Sequence, residues 1–334
     1  MAESTAVETR VIVPEPALEV DDNKDSDSAY GDELSSYSAS IASSVQNYEW
    51  KHGRRYHSYQ AGSYQFPNDE REQDRLNARH HVMLRLMHDR LFLAPIKPDG
   101  MRILDIGTGT GIWAMQLGDL YPSAELIVGN DLSPIQPQWV PPNVKFLVDD
   151  VEKDWAEAQK YDYIHCRYMA GSIRDWPSLV RQCYNNLKPG GWLELKKGNP
   201  RPYSDDDTLK PDNNVALMLQ FLCEACDKVG RTLNPAPNFE RLVAEAGFKN
   251  IEKKMFKLPL GAWPKDPRLK EIGAFMALDF IEGVEAFTLV PFTDVLGWTK
   301  EEVDVLNTKV RHDAKRRDVH YVFDYYVVTA QKPE

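Results

Sequence analysis

Apolar and polar residues follow two different periods along this chain, and their order predicts an α/β fold. Short apolar runs typical of buried strands are followed by segments in which apolar residues recur every three or four positions. The predicted strands cover residues 101–106, 125–130, 144–148, 161–166, 192–196, 250–258 and 319–330. The predicted helices cover about 70–91, 111–120, 176–187, 212–230, 239–247, 268–283 and 300–317. Such alternation is typical of a parallel sheet with helices on both faces.

A glycine-rich turn joins the first predicted strand to the next helix. It contains the candidate cofactor-binding residues Asp105, Gly107, Thr108, Gly109 and Gly111. Glycine has no Cβ, so its backbone can adopt a positive φ and approach a ligand closely. A dinucleotide-binding turn would need glycine at position 112, where this chain has isoleucine, and this disfavours an NAD-dependent oxidoreductase. The spacing D-x-G-x-G-x-G instead resembles the first-strand pattern of S-adenosylmethionine-dependent methyltransferases.

Further candidate cofactor residues follow the next predicted strands, where open parallel sheets bind ligands. Asp131 can accept hydrogen bonds from both ribose hydroxyls. Asp150 can accept from the adenine amino group, and the Val151 N–H can donate to the ring. Leu132 can pack on the adenine, and Arg167 can hold a cofactor carboxylate or a substrate acid. The alternative is that the two aspartates only begin turns.

Methyl transfer from a sulfonium needs a positioned nucleophile, and a general base when that nucleophile is protonated. The candidate bases are His81, His165 and His320. His81 is the candidate catalytic residue because it lies on the leading helix, near the expected lid. A histidine that is hydrogen-bonded on the helix face is the structural alternative. We interpret His165, within a predicted buried strand, as a core histidine.

Aromatic residues before the first helix predict a lid. The candidate substrate and lid residues are Tyr56, Tyr59, Tyr64, Phe66 and Arg75. They precede the first strand, so the chain can cross the open crevice before it enters the sheet. Aromatic side chains there would exclude water and pack on an acceptor or on the adenosine. The alternative is that they cover the outside of the sheet.

The first 47 residues are strongly acidic and poor in apolar residues. They hold ten acidic residues against the bases Arg10 and Lys24, in a chain of net charge −11. We therefore predict a disordered Ser-rich tail over 1–47 and a methyltransferase domain over 48–334, with its N-terminal lid in 48–98. The remaining chain has no basic stripe, which argues against direct binding of nucleic acid.

Cysteine content and apolar run lengths bear on the compartment. Four scattered cysteines suit a reducing compartment. Cys223 and Cys226 lie in a helical pattern, and the sequence has no second pair that would complete a zinc site. We therefore expect no metal. No apolar run reaches the ~18 residues of a membrane span, and the acidic start is unlike a signal peptide. The basic clusters 51–55 and 315–317 are interpreted as solvated faces, with import signals as the alternative. We expect a cytoplasmic or nuclear location, or both.

From residue 48 onward the chain resembles the LaeA-like methyltransferases of filamentous fungi. The resemblance rests on the segments 64–76, 80–81, 93–96, 103–111, 131–137, 296–298 and 320–321. It implies a Rossmann-like class I methyltransferase fold, with a seven-stranded, mostly parallel sheet, an antiparallel last strand, a helical lid and insertions. It also implies S-adenosyl-L-methionine as cofactor and a small molecule or a protein as methyl acceptor.

The resemblance implies two functional settings. Some members regulate secondary metabolism and development with velvet-type or methyltransferase partner proteins, and others methylate small molecules in biosynthetic clusters. We expect a methyltransferase linked to the regulation of secondary metabolism or development, acting on an unidentified acceptor. The alternatives are a cluster enzyme and a regulatory subunit with little catalytic activity. The chain departs from the family at Lys196 and Lys197, where acidic or amide residues are more common, and we expect these lysines to alter the acceptor pocket.

Overall fold

A short hairpin and a seven-stranded sheet contain the strands of the computed structural model, which describes residues 48–57, 59–60, 64–155 and 159–334. The predicted tail, 1–47, lies outside the described residues. The hairpin pairs β1 (Glu49–Lys51) with β2 (Arg54–Tyr56). The sheet contains β3 (Arg102–Ile106), β4 (Leu126–Asp131), β5 (Val144–Val148), β6 (Tyr161–Arg167), β7 (Leu187–Gly198), β8 (Lys249–Leu260) and β9 (Tyr321–Gln331).

The strand order of the sheet is β5-β4-β3-β6-β7-β9-β8. The pairs from β5 to β7 are parallel, whereas β9 runs antiparallel to both β7 and β8. The prediction of a seven-stranded, mostly parallel sheet with an antiparallel last strand is therefore confirmed. The order reverses direction at β3, so the carboxyl ends of β3, β4 and β6 surround one crevice.

In chain order the helices lie between the strands, with two consecutive α-helices before β8 and two before β9. They are α1 (Glu70–Leu86), α2 (Ile112–Leu120), α3 (Trp176–Asn186), α4 (Asn214–Lys228), α5 (Phe239–Glu245), α6 (Pro267–Val290) and α7 (Lys300–Ala314), with a 3₁₀ turn at Ala236–Asn238 and a π-helical turn at Pro291–Leu296. Asp69 caps α1 by accepting a hydrogen bond from the Glu72 N–H. Thr299 and Glu302 form a capping box that begins α7. None of the helices in the described ranges is both long and apolar enough to span a membrane.

Several details of the sequence prediction were wrong, and β7 begins at Leu187 rather than at the predicted residue 192. Helix α1 ends at Leu86 rather than near 91, because His88 and Asp89 adopt left-handed φ values of 57° and 58°. Helix α6 continues to Val290, beyond the predicted 283. The hairpin was missed because three-residue strands are too short to show a period, although its turn residue Gly53 is typical of a hairpin loop.

The basic cluster 51–55 forms this hairpin and is not simply a solvated face. The Arg54 side chain is buried and pairs with Asp69 through Nε and Nη2, at 2.5 and 2.9 Å. Arg55 bonds the Asn68 carbonyl and pairs with Glu70. The cluster therefore attaches the hairpin to the start of α1.

The sheet has apolar contacts on both faces, because successive strand residues point to opposite sides. In β3, Ile103 packs in a cluster with Trp113 of α2, whereas Leu104 belongs to a cluster with residues of α3 and α5. A third cluster joins α1, α4, α6 and α7 to residues of β8 and β9. These additional helices form part of the wall of a second cavity, described below.

Candidate active site

The glycine turn after β3 is supported by buried hydrogen bonds. Asp105 accepts from the Thr108 hydroxyl at 2.6 Å and lies 2.7 Å from Nδ1 of His165. Burial, the largest influence, raises the pKa of Asp105 to about 6. Asp105 was predicted to bind cofactor, but it lies beneath the turn and does not line the crevice. Its observed contacts position the turn.

Two glycines of the turn have different surroundings. Gly109, with φ 59°, faces open space, since no heavy atom lies within 4 Å of where a Cβ would be. Gly111, with φ 79°, begins α2, and a Cβ there would lie 2.3 Å from Cζ of Phe146. Gly111 was predicted to contact cofactor, but the structure packs it against β5 instead. Only a residue without Cβ fits both the backbone and the space at Gly111.

A crevice of about 1150 Å³, partly open to solvent, lies beside this turn. It contains eight of the ten predicted cofactor residues: Gly107, Thr108, Gly109, Asp131, Leu132, Asp150, Val151 and Arg167. They come from the ends of four neighbouring parallel strands and the loops that follow. The topology therefore brings together residues that are up to 60 positions apart in sequence.

Asp131 links the end of β4 to the glycine turn. Its Oδ2 accepts from the Gly109 N–H and its Oδ1 from the Ser133 N–H, both at 2.9 Å. Burial raises the pKa of Asp131, and these two backbone hydrogen bonds oppose the rise. Asp150 likewise accepts from the Glu152 N–H, at 3.0 Å. Both aspartates thus begin turns, as in the structural alternative, while each also lines the crevice.

His80, not His81, faces the crevice. Its Nδ1 accepts from Arg167 at 3.1 Å, so Nε2 carries the proton and donates to Gln116 at 2.7 Å. Burial, and then the positive charge of Arg167, lower the pKa of His80 to about 3. His80 is therefore neutral, and its acceptor nitrogen is already occupied.

His81 was predicted as the catalytic base, and the structure contradicts that placement. Its side chain is exposed and lines an outer groove between α1 and α6, away from the crevice. The two adjacent histidines differ because one helical residue corresponds to a rotation of about 100°. The spacing of Leu76, His80, Met83 and Met87, at intervals of four, three and four, places His80 on the apolar face of the helix, but it does not show that this face borders the crevice.

The other two histidines also lie outside the crevice lining. The ring of His165 stacks on Trp113 with centroids 3.9 Å apart, and burial lowers its pKa. This is the core position expected for it. His320 lies 2.6 Å from Asp206 and stacks on Trp263.

The chain between β2 and α1 borders the crevice, but the predicted lid residues separate into three groups. Tyr64 lines the crevice, and Tyr59 lies 5.5 Å from the Lys153 ammonium. Tyr56 is buried in the hairpin and does not reach the crevice, contrary to prediction. Phe66 and Arg75 line a separate, second cavity.

Polar contacts join this leader to the crevice loops. Asn68 donates to the Ser133 hydroxyl at 3.1 Å, and Thr110 in the glycine turn donates to Asn77 of α1 at 2.6 Å. The chain before α1 thus contacts the loop after β4 through Asn68, and α1 itself contacts the glycine turn through Asn77. Whether this segment closes over the cofactor stays a prediction.

The second cavity adjoins the crevice and measures about 970 Å³ when the part that is open to solvent is included. Four residues line both spaces: Tyr64, Leu76, Arg79 and Tyr168. Its walls are mostly aliphatic and aromatic and include Phe66, Leu219, Leu222, Leu258, Phe280 and Phe323. Tyr168 adopts a left-handed φ of 60°, a strained conformation for a residue with Cβ.

Lys196 and Lys197 occupy different environments. Lys196 is buried and bonds Glu194 at 2.8 Å and the Leu91 carbonyl at 2.7 Å. Glu194 also accepts from the N–H groups of Leu93 and Ala94. Lys196 therefore anchors a loop, and the expectation that it alters the acceptor pocket is wrong. Lys197 does line the second cavity.

The sheet order, the glycine turn and the crevice at the strand ends define a class I methyltransferase fold. Residues 78–253, more than half of the chain, match a family model described as a methyltransferase domain. The chain is 64% identical over 294 residues to methyltransferase pytC of Aspergillus terreus. This alignment covers 88% of this chain and 91% of that relative. These matches establish the class.

Two further relatives are regulators. The chain is 35% identical to the secondary metabolism regulator LAE1 of Cochliobolus heterostrophus, over 85% of this chain and 94% of that one. It is 33% identical to the secondary metabolism regulator laeA of Aspergillus flavus, over 88% of this chain and 80% of that regulator. The chain therefore belongs to the LaeA-like family of fungal methyltransferases, and S-adenosylmethionine is its cofactor.

The crevice fits this cofactor. The open side of Gly109 leaves room for the ligand to approach the backbone. Each Asp131 oxygen accepts one protein hydrogen bond, which leaves acceptor capacity for hydroxyl donors. Among the described residues, no group of three or more His, Cys, Asp or Glu side chains could hold a metal ion.

Proposed function

We propose that this methyltransferase acts on a small, largely apolar acceptor that binds in the second cavity. The observation that carries the proposal is the wall that this cavity shares with the crevice. An apolar cavity with a few polar groups is the usual form of a small-molecule site. A folded protein acceptor would need to insert a side chain through the opening, whereas a small apolar molecule can fill the space.

The proposal assigns roles to the crevice residues. Asp131 accepts from the ribose hydroxyls, Asp150 and the Val151 N–H meet the adenine edge, and Leu132 packs on its face. Arg167 binds the cofactor carboxylate, with His80 holding the guanidinium in place. S-adenosylmethionine supplies a methyl group activated on a sulfonium sulfur.

In the proposed reaction, this chain contributes mainly by positioning and by excluding water. Tyr64 and Tyr168 lie at the junction of the two spaces, where acceptor and cofactor would meet. Among the described residues, no histidine with a free basic nitrogen lines this junction. The acceptor must therefore bind as an anion or transfer its proton to another group.

The similarity to methyltransferase pytC supports an enzymatic role. The chain is 64% identical to it, compared with 35% for the regulator LAE1, over similar shares of the chain.

The experiment supplies methyl-labelled S-adenosylmethionine and a small-molecule extract from a host strain that lacks the protein. We expect label to enter a small-molecule product. Leu222→Trp would fill the second cavity, so it should abolish transfer without changing the affinity for S-adenosylhomocysteine. Leu120→Trp is the matched control, because Leu120 lies exposed at the end of α2. Label that enters only protein, or unchanged transfer by Leu222→Trp, would contradict the proposal.

A second candidate function is a regulatory subunit, supported by the 33–35% identity to secondary metabolism regulators. It is also supported by the outer groove between α1 and α6, where Phe275 and Leu278 are more than half exposed. Velvet-type or methyltransferase proteins would be the partners, in the cytoplasm or the nucleus. Co-purification with a velvet-type protein that is lost in Leu278→Glu but kept in Leu222→Trp would favour this role. Absence of any such complex at native concentration would oppose it.

A further inference from the structure

Among the described residues, Lys197 is one of three cations, with Arg75 and Arg79, that line the mostly apolar second cavity. It is the penultimate residue of β7, and its partly buried side chain lines this cavity. The ammonium lies 5.5 Å from the ring centroid of Tyr168, and the Arg79 guanidinium lies 5.8 Å from the same centroid. Since Tyr168 also lines the crevice, the Lys197 ammonium lies close to the junction between the two spaces.

The neighbouring cations of this region are neutralised, but Lys197 is not. Arg75 pairs with Glu72 at 2.6 Å and with Asp279 at 3.1 Å, and Arg79 also pairs with Asp279. In the part of the chain that the structure describes, the Lys197 ammonium has no carboxylate within 4 Å and no recorded hydrogen-bond acceptor. Because its side chain lines the cavity and has no carboxylate partner in that part of the chain, an acidic oxygen that enters the cavity can pair with this ammonium without displacing a protein group.

We propose that the second cavity binds an acceptor with an acidic hydroxyl, a phenol or an enol, whose oxygen pairs with the side chain of Lys197. This inference rests on the proposed function, because it names the class of acceptor for the same cavity. A flat aromatic or conjugated ring suits the walls formed by Phe66, Phe280 and Phe323, while its oxygen supplies the acceptor that Lys197 lacks. The product would be a methyl ether.

The charges around Lys197 make it suitable for this pairing. Desolvation is the largest influence and Arg79 the next, and together they lower the pKa of Lys197 to about 8. Burial raises the pKa of Tyr168, and also that of Cys223 and Cys226 on α4, so these groups stay neutral near pH 8. Arg79 stays charged, since its pKa is raised by Asp279 despite burial. With its pKa lowered to about 8, the Lys197 side chain can lie in this cavity either as an ammonium or as a neutral amine.

The proposed methyl transfer forms one bond, breaks one bond and moves at most one proton. A lone pair of the acceptor oxygen forms the new O–C bond, and the methyl C–S bond breaks with its electron pair on sulfur. An acceptor that arrives as an anion pairs with the ammonium of Lys197. An acceptor that arrives protonated gives its proton to the neutral amine of Lys197, which then becomes that ammonium. No oxidant or further reactant is required.

The test uses the full chain saturated with S-adenosylhomocysteine, so that added probes are directed to the second cavity. Three probes of similar shape are compared by calorimetry: naphthalene-2-carboxylate, 2-naphthol and 2-methylnaphthalene. For the wild type at pH 7, we expect the carboxylate to bind about 10- to 100-fold more tightly than 2-methylnaphthalene, as a charge-assisted hydrogen bond contributes. This preference should weaken as the pH rises through 8, because the ammonium loses its proton.

Variants separate charge from packing. Lys197→Met should reduce the preference to about threefold or less, whereas Lys197→Arg should retain it. Lys145→Met, on the exposed side of β5, is the matched control and should behave as the wild type. Leu222→Trp should abolish binding of all three probes, which locates them in this cavity. If Lys197→Met does not fold, Lys197→Gln replaces it.

Two results would overturn the inference while leaving the proposed function intact. The first is equal affinity of the wild type for the carboxylate and for 2-methylnaphthalene. The second is a preference that persists in Lys197→Met with unchanged S-adenosylhomocysteine affinity. Failure of all three probes to bind would also overturn it. Loss of S-adenosylhomocysteine binding by the wild type, in contrast, would refute the proposed function.

Discussion

Replacing Asp131 by alanine removes a carboxylate that bonds two backbone N–H groups and, under the proposed function, two ribose hydroxyls. The protein contacts are those with Gly109 and Ser133, each at 2.9 Å. The variant therefore affects both the cofactor and the glycine turn. The two effects differ in size and can be measured separately.

The magnitudes follow from these contacts. Hydrogen bonds to a charged group contribute about 1.5–3 kcal/mol, so S-adenosylhomocysteine should bind about 10- to 150-fold more weakly to Asp131→Ala. The buried Ser133 N–H loses its acceptor, whereas water can replace the acceptor of the part-exposed Gly109. Removal of a desolvated carboxylate offsets part of this loss. We expect the free energy of unfolding to fall by about 1–2 kcal/mol.

Calorimetry with S-adenosylhomocysteine measures the affinity, and urea unfolding measures the stability. Asp162→Ala is the matched control. Asp162 accepts from the Arg102 N–H and from the Lys188 ammonium, both at 2.8 Å, near the amino ends of β3 and β6 and away from the crevice. It should lower stability without changing the affinity. Unchanged affinity in a correctly folded Asp131→Ala protein would remove Asp131 from the cofactor site and refute the reasoning.

Three other predictions concern the tail, the leader and His80. Deletion of residues 1–47 should leave the melting temperature and the S-adenosylhomocysteine affinity unchanged, since their composition offers no core; a decrease in either would show that the tail is structural. Amide exchange of residues 64–69 should slow when S-adenosylhomocysteine is added, because Tyr64 and Asn68 line the crevice; identical exchange with and without ligand would exclude a ligand-dependent lid. The pKa of His80 is lowered to about 3, so below pH 6.5 mainly the unfolded state takes up this proton. Wild type should therefore lose about 2 kcal/mol more unfolding free energy than His80→Gln between pH 7 and pH 5, measured with urea, and equal pH dependence of the two proteins would contradict the assignment.

Local signals in the sequence were enough to predict the cofactor crevice. The strand periods placed β3 to β6 within one residue at each end, so the residues that follow each strand could be named. Once strands are parallel, their carboxyl ends meet at one edge, and Asp131, Asp150 and Arg167 must then lie near the glycine turn. The crevice required no knowledge of side-chain packing.

Residues just below or beside the turn were harder to assign. Asp105 and Gly111 belong to the same motif as the crevice residues. The Asp105 carboxylate is buried beneath the turn, however, and Gly111 packs against Phe146. A sequence motif shows that a residue type is needed at a position. It does not show whether that residue supports the turn or contacts the ligand. The same limit applied to His81, because the orientation of α1 depends on the helices that pack against it.

The chain's sequence by itself determined the parallel sheet, the glycine turn and the acids at the strand ends, because these features depend on periods and spacings within short segments. Only the tertiary structure decided which histidine faces the crevice, and how the second cavity forms between α1, α4, α6 and β9. It also separated Lys196, paired with Glu194, from Lys197, which lacks such a partner among the described residues. Adjacent strand residues point to opposite faces, so their surroundings depend on chain segments that are distant in sequence.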